Sequence, residues 1–192
     1  MQNIVFATNN QHKLLEVQGL LGDKFSLQTL SDIGFTDEIP EDYDTLEENA
    51  SQKAWHIYNL YNTSCFADDT GLEVDALNGA PGVFSARFAG EHKSSSDNIV
   101  KLLSELKGKT NRSAHFRTVV ALIIKGNEYR FEGIVRGTII DHLRGDSGFG
   151  YDPIFIPEGY ALTFAEMDLS LKNNISHRGQ AIQKLTDFLK SL

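Results

Sequence analysis

The feature that most restricts what this chain can fold into is a pair of strand-like stretches, residues 114–125 and 128–140, flanking Gly126-Asn127. A two-residue turn of this kind joins antiparallel strands, so no purely parallel sheet can contain them. Residues 2–7, by contrast, read as a buried strand. It feeds through Thr8-Asn9-Asn10 into a helix over 11–21, closed by Gly22 as a left-handed cap. A second strand is expected near 26–30. Strands and helices mix without strict alternation, so the expected architecture is a mixed α/β fold, one long central sheet with flanking helices.

The remaining helices are legible from their ends. Thr45-Leu46-Glu47-Glu48 is a capping-box pattern, followed by an apolar face of Leu46, Ala50, Ala54, Ile57, Tyr58 and Tyr61. Ser94 is placed to cap a helix that runs to Lys107, with Gly108 beyond it. Ser176 is placed to cap a last helix whose stripe is Ile182, Leu185, Phe188 and Leu189. Between them, Cys65-Phe66-Ala67 reads as a short strand ending at Asp68-Asp69, with a turn at Gly71 before Leu72-Glu73-Val74. There is no repeat and no Pro/Ser-rich linker, which points to a single domain over 1–192.

Composition excludes some partners. The chain has 18 Lys+Arg against 26 Asp+Glu, a formal charge of -8, which opposes a broad basic face for nucleic acid. With 41% hydrophobic residues it can fill a core. Its lone cysteine, Cys65, cannot form an internal disulfide. The longest apolar run, residues 119–124, is too short to cross a bilayer, and Met1-Gln2-Asn3-Ile4 lacks a signal-peptide layout. A cytoplasmic protein, with neither membrane nor nucleic acid as partner, is expected.

Five segments carry residues suited to chemistry. Thr8, Asn9, Asn10, Gln11, His12 and Lys13 form a strand-to-helix turn. It is either an ordinary Asn-capped helix or an anion site using N–H groups, the helix dipole and the Lys13 ammonium. No Walker-type glycine loop is present. Asp68-Asp69-Thr70-Gly71 is either a turn or a pair of hard oxygen ligands suited to Mg²⁺, of which one points into a given site. The acidic stretch 37–44 is a solvated loop, or supplies a second ligand, Glu41. Lys53, on the flank of an apolar helix face, needs an anionic partner or a path to water. Glycines around Phe149 allow a flat ligand to approach its ring, and Asp152, preceding Pro153, is expected in extended backbone. Lys172, His177 and Arg178 complete the set as cations near the last helix.

In order and wording these segments closely resemble the inosine triphosphate pyrophosphatase family. The matching runs are Phe6-Ala7-Thr8-Asn9-Asn10 with Lys13 and Glu16, Thr45-Leu46-Glu47-Glu48-Asn49-Ala50 with Lys53, and Ala67-Asp68-Asp69-Thr70-Gly71-Leu72. Further along come Gly79-Ala80-Pro81-Gly82, Ser85-Ala86-Arg87-Phe88, Gly148-Phe149-Gly150-Tyr151-Asp152-Pro153 and Lys172-Asn173-Asn174-Ile175-Ser176-His177-Arg178. Between Ile33 and Thr45 the Glu-Thr-Gly wording of relatives is missing, and Glu41 is the position aligned to their metal glutamate. The resemblance implies an elongated mixed sheet with two lobes and a nucleotide cleft, in a homodimer. It also implies Mg²⁺-dependent hydrolysis of ITP, dITP and XTP to the monophosphate and pyrophosphate. Carried over, Asp69 is the general base and a metal ligand with Glu41, and Thr70 touches substrate. Thr8, Asn9, Asn10, Gln11, His12, Lys13 and Lys53 hold the triphosphate. Phe149, Gly150, Tyr151, Asp152, Lys172, His177 and Arg178 take the base and sugar, with His177 and Arg178 donating to the 6-oxo edge. The alternatives are a septum-inhibitor-type pyrophosphatase for pyrimidine or modified nucleotides, and a catalytically silent nucleotide binder.

Overall fold

The computed structural model describes residues 2–21 and 25–192; Gly22, expected as a helix cap, lies outside the described residues. The chain divides into two compact units. One comprises Met1–Asp69, Thr118–Gly133 and Arg178–Leu192, the other Thr70–Arg117 and Ile134–His177.

In the first unit, β1 (Gln2–Phe6) pairs in parallel with both β2 (Phe25–Gln28) and β3 (Cys65–Val74). The register partners Phe6 and Phe66 stack with centroids 4.6 Å apart. Two helices cover a core that includes Ile4, Phe6, Phe66, Val120 and Leu122. They are α1 (Gln11–Gln18), through Leu14 and Val17, and the C-terminal helix His177–Ser191, through Ile182, Leu185 and Leu189. Of the expected C-terminal stripe, Ile182, Leu185 and Leu189 are buried and Phe188 is half-buried. α1 ends at Gln18, earlier than its apolar spacing suggested, because Gly19 terminates it and a helical glycine costs about 1 kcal/mol. Leu21 is buried all the same, but outside the helix. β2 likewise stops before Leu30, which is buried ahead of a 3₁₀ turn at Ser31–Ile33.

α2 (Leu46–Tyr61) starts where Thr45 accepts from the Glu48 N–H, while the Thr45 hydroxyl donates to the Glu48 carboxylate at 2.7 Å. Its buried face is Leu46, Asn49, Ala50, Lys53, Ala54 and Ile57, and Tyr61 is exposed. The face therefore carries a lysine, and ends one turn earlier than expected.

In the second unit, β3 continues and pairs antiparallel with β4 (Pro81–Gly82). α3 (Ser95–Glu105) is capped by Ser94, which accepts from the Asp97 N–H. β5 (Ser113–Ile124) and β6 (Asn127–Ile139) follow, and β6 pairs antiparallel with β7 (Phe155–Pro157). α4 (Leu169–Ile175) precedes α5, the His177–Ser191 helix already described. The core here is aromatic and aliphatic: Leu72, Val74, Ile99, Leu102, Phe116, Phe155, Phe164 and their neighbours. The sheet order is β2-β1-β3-β5-β6-β7, with β4 on β3, and it mixes parallel and antiparallel pairs as the sequence indicated. Among the described residues no helix is long and apolar enough to cross a membrane.

Two local readings are corrected. The β5–β6 turn is Lys125-Gly126, both at positive φ (50° and 75°), which a type I′ turn demands; Asn127 already belongs to β6. β3 does not end at Asp68-Asp69, and Gly71 makes no turn: the ten-residue strand runs straight through. Gly71 is glycine because a Cβ there would lie 2.6 Å from the Gly82 carbonyl oxygen of β4.

Candidate active site

In the first unit the chemistry converges on the middle of β3. Adjacent side chains of a strand diverge, and Asp68 and Asp69 have separate partners. Asp68 is fully buried and accepts from Lys13 Nζ at 2.8 Å and from Arg178 Nε at 3.1 Å. Arg178 Nη1 also forms a short ion pair with Glu16 on α1. Asp69 accepts from Lys53 Nζ at 3.1 Å, and the same ammonium lies 2.6 Å from Glu41 Oε1. Four carboxylates (Glu16, Glu41, Asp68, Asp69) thus meet three cations.

The electrostatics separate the two aspartates. Burial alone would raise the Asp68 pKa, but the charges of Lys13 and Arg178 outweigh it and hold the carboxyl well below the usual range. For Asp69 burial prevails over the nearby Lys53 and Lys13, so its pKa is raised. Lys13 is lowered, chiefly by burial and only partly offset by Asp68. Burial opposes the charge on Lys53 too, yet Asp69 and Glu41 reverse the balance and raise it. Arg178 behaves likewise: burial is outweighed by Glu16 and Asp68, which raise its pKa.

The turn ahead of α1 is an Asn cap. Asn10 Oδ1 accepts from the His12 and Lys13 N–H groups at 3.0 and 3.2 Å, and Thr8 Oγ1 from the Asn10 N–H. Asn9 reaches the Asp37 carbonyl, while Gln11 and His12 are exposed. Two of the N–H groups expected to greet an anion are therefore occupied by Asn10. What this turn offers a phosphate is the dipole and side chains, Lys13 above all.

In the second unit Asp152 organises the other cluster. Its Oδ2 accepts from the Phe149 N–H at 2.8 Å and from Lys172 Nζ at 2.6 Å. Lys172, set by α4, lies 5.2 Å over the Phe149 ring and 5.7 Å over that of Phe164. Gly148, at φ 77°, leaves room for the Asp152 carboxylate, which any Cβ there would strike. Phe149, Asp152 and Lys172 thus come together as the sequence suggested. The extended backbone expected of Asp152 does not occur. It opens a 3₁₀ turn, where Pro153 is tolerated in the first turn, and its carboxylate points back into its own loop. Tyr151 is a core residue whose hydroxyl donates to the Ser85 carbonyl at 2.9 Å; burial pushes the phenol above its ordinary range. Gly150 (φ 61°) and Thr70 are half-buried. His177 is buried and stacks on Phe116, centroids 4.6 Å apart and planes 11° apart.

His177 and Arg178 are neighbours in sequence, yet His177 joins the aromatic core of the second unit and Arg178 the ion pairs of the first. Arg178 is held by Asp68 and Glu16. Glu16 matched the resemblance but had no role assigned to it. Its signal was a carboxylate beside Val17 on the buried face of α1, where a charge requires a partner. α4, which positions Lys172, was missed altogether; its signal was Asp168, whose side chain accepts from the Leu171 N–H.

The donor set suits a hard cation. Glu41 and Asp69 already share one positive charge, and Mg²⁺ commonly takes one or two carboxylates and keeps several waters. Among the described residues no three or more His, Cys, Asp or Glu side chains group as ligands. A cation on this pair would draw its other ligands from water or a bound anion.

Comparison with known proteins decides the family: a Ham1 family profile matches residues 4–188. The chain belongs to the Ham1 family. It is 53% identical over 188 residues to the dITP/XTP pyrophosphatase of Flavobacterium psychrophilum, covering 98% of this chain and 99% of that one. It is 51% identical over 186 residues to that of Flavobacterium johnsoniae, covering 97% of each. The HAM1 protein structure from Coxiella burnetii superposes with a TM-score of 0.91 at 38% identity, covering 100% of both chains. The Ham1 match spans the residues of both clusters, and agrees with the resemblance read from the sequence.

Proposed function

We propose that this chain is a nucleoside triphosphate pyrophosphatase that hydrolyses non-canonical purine nucleotides (ITP, dITP and XTP) to the monophosphate and pyrophosphate. The observation that carries this reading is a near full-length match, at 42 to 53% identity, to relatives named dITP/XTP pyrophosphatase. Those relatives lend no support to the septum-inhibitor-type alternative or to a silent binder. The protein would act in the cytoplasm, as a homodimer, where it removes deaminated purine nucleotides before polymerases use them.

In this reading the triphosphate falls to the residues around β3 and α1. Lys13, Lys53, the α1 dipole and the turn from Thr8 to His12 neutralise and orient the phosphates, which is most of what phosphoryl transfer requires. Glu41 and Asp69 are the residues that would hold Mg²⁺. When bound, the ion would neutralise phosphate charge and acidify the attacking water. Asp69, its pKa raised by burial, is the better placed of the two aspartates to accept a proton; Asp68, engaged by Lys13 and Arg178, keeps those two cations in place. Water attacks the α-phosphorus, its proton passes to Asp69, and the bond to the α,β-bridging oxygen breaks, leaving pyrophosphate. The purine falls to Phe149, which stacks on it, while Asp152 fixes the Phe149 backbone and Lys172, and Lys172, His177 and Arg178 serve the base. Thr70 continues β3 beside Asp69.

The test is direct. Incubation with Mg²⁺ and ITP, XTP, dITP, GTP or ATP, followed by phosphorus NMR, is expected to give pyrophosphate from the first three. Orthophosphate as the product, or no turnover, would overturn the assignment.

A further inference from the structure

The Lys53 ammonium stands where the two proposed metal ligands converge, 2.6 Å from Glu41 Oε1 and 3.1 Å from Asp69 Oδ1. Its side chain is only 7% exposed, so water can do little to replace those carboxylates. We infer that Lys53 is an internal counter-ion that holds Glu41 and Asp69 together until a divalent cation takes the pair, and that the cation then displaces its ammonium toward the phosphates. The inference rests on the proposed assignment of Glu41 and Asp69 as metal ligands and adds an order of events to it.

Two carboxylates on one site repel, and a single ammonium relieves part of that repulsion. A divalent cation competes for the same oxygens with twice the charge. The displaced ammonium then needs a new anion, because an unpaired buried charge is costly. Asp68, the nearest further carboxylate on β3, is already engaged by Lys13 and Arg178. An incoming triphosphate supplies what is missing. The cation alone therefore binds against the cost of a stranded ammonium, and cation with nucleotide does not. Such coupling is reciprocal and commonly amounts to about 5- to 150-fold.

The movement belongs to the side chain. On α2, Ser51 and Trp55 lie two residues either side of Lys53, and both donate to the Glu128 carboxylate of β6 at 2.7 Å. Residues one turn apart share a helix face, and Lys53 projects from a different one. Glu128 thus ties the opposite face of the helix, so a displacement of the ammonium falls to the four-carbon stem of Lys53, whose bonds rotate.

The experiment is a Mn²⁺ titration without nucleotide, read by the electron paramagnetic resonance of free Mn²⁺, on wild type, Lys53→Met and Lys53→Arg. Lys53→Met should bind Mn²⁺ at least about tenfold more tightly, within the range expected of such coupling. Lys53→Arg, which keeps the charge, should not. The enhancement of Mn²⁺ binding by an ITP analogue with an imido α,β bridge should shrink in Lys53→Met by the same factor. Unchanged or weaker Mn²⁺ binding by Lys53→Met overturns the inference. Wild-type protein gives an answer even if that variant does not fold. Its ¹⁵N-labelled Lys53 ammonium resonance should shift on saturation with Mg²⁺ and the analogue, and a resonance that stays put counts against displacement. Glu41→Gln and Asp69→Asn, each expected to abolish Mn²⁺ binding, test the ligand assignment separately. Pyrophosphate release from ITP tests the function.

Discussion

At the scale of the residue, Asp68 and Asp69 show how neighbours in one strand acquire opposite character. The folded pKa of Asp68 is depressed, so the stability it adds is full above its unfolded value, about 3.9, and is lost as pH falls toward the folded value. The folded pKa of Asp69 is raised, so any stability it adds is present below that unfolded value and lost as pH rises through the folded one. The two substitutions should therefore part company. Asp68→Asn removes the carboxylate that pairs the buried Lys13 and leaves Arg178 to Glu16, and should cost about 3–5 kcal/mol at pH 7. That penalty should shrink below about pH 4, where wild type loses the same contribution. Urea unfolding at the two pH values measures it, and a variant as stable as wild type at pH 7 would show that Asp68 is not the keystone of these pairs. Asp69→Asn should leave stability at pH 7 nearly unchanged, since Lys53 retains Glu41. It should instead lower kcat for ITP by about 10²–10⁴-fold, the usual worth of a general base. Substantial residual hydrolysis by a folded Asp69→Asn would remove Asp69 from that role.

At the scale of the element, β3 explains both what the sequence disclosed and what it concealed. Asp-Asp-Thr-Gly reads locally as a turn, because each of those residues favours one. The strand wins because its flanks, Cys65-Phe66-Ala67 and Leu72 with Val74, are fully buried on either side of the motif. Gly71 then has a packing reason that no local reading could supply, the approach of β4. Gly71→Ala should therefore destabilise by about 1–3 kcal/mol through overpacking alone, with no change of φ sign to accommodate. A thermal or urea midpoint indistinguishable from wild type would mean that β4 yields freely there. Capped helices and the hairpin were legible because their signals are local: Asn10, Thr45 and Ser94 each cap the helix expected of them. The partners of Arg178 were not, since Glu16 lies 162 residues away and nothing in Ser-His-Arg says which neighbour turns to which unit. Lys53 was the intermediate case. Its place on an apolar face demanded an anion, but only the fold could name Glu41 and Asp69.

At the scale of the whole molecule, the charge of -8 and a polyanionic substrate have to be reconciled. The first-unit set carries four carboxylates against three cations, so it has one negative charge in excess. A divalent cation would leave it one positive, enough to attract a triphosphate locally. The protein as a whole still repels that substrate at long range. Attraction confined to buried groups is screened weakly, whereas the long-range field decays over a Debye length of about 10 Å at 0.1 M salt. Enzymes that steer their substrates lose rate steeply as salt rises. Here steering works against capture, so screening should relieve repulsion about as much as it weakens attraction. The expected kcat/KM for ITP, at fixed free Mg²⁺, is nearly flat or slightly rising as KCl goes from about 20 to about 200 mM, a span over which the Debye length shortens severalfold. A fall of more than about tenfold, of the kind seen where an extended basic surface draws in its ligand, would show that a wider positive field takes part in capture. Lys13 and Lys53, both bound to carboxylates here, would then not account for it.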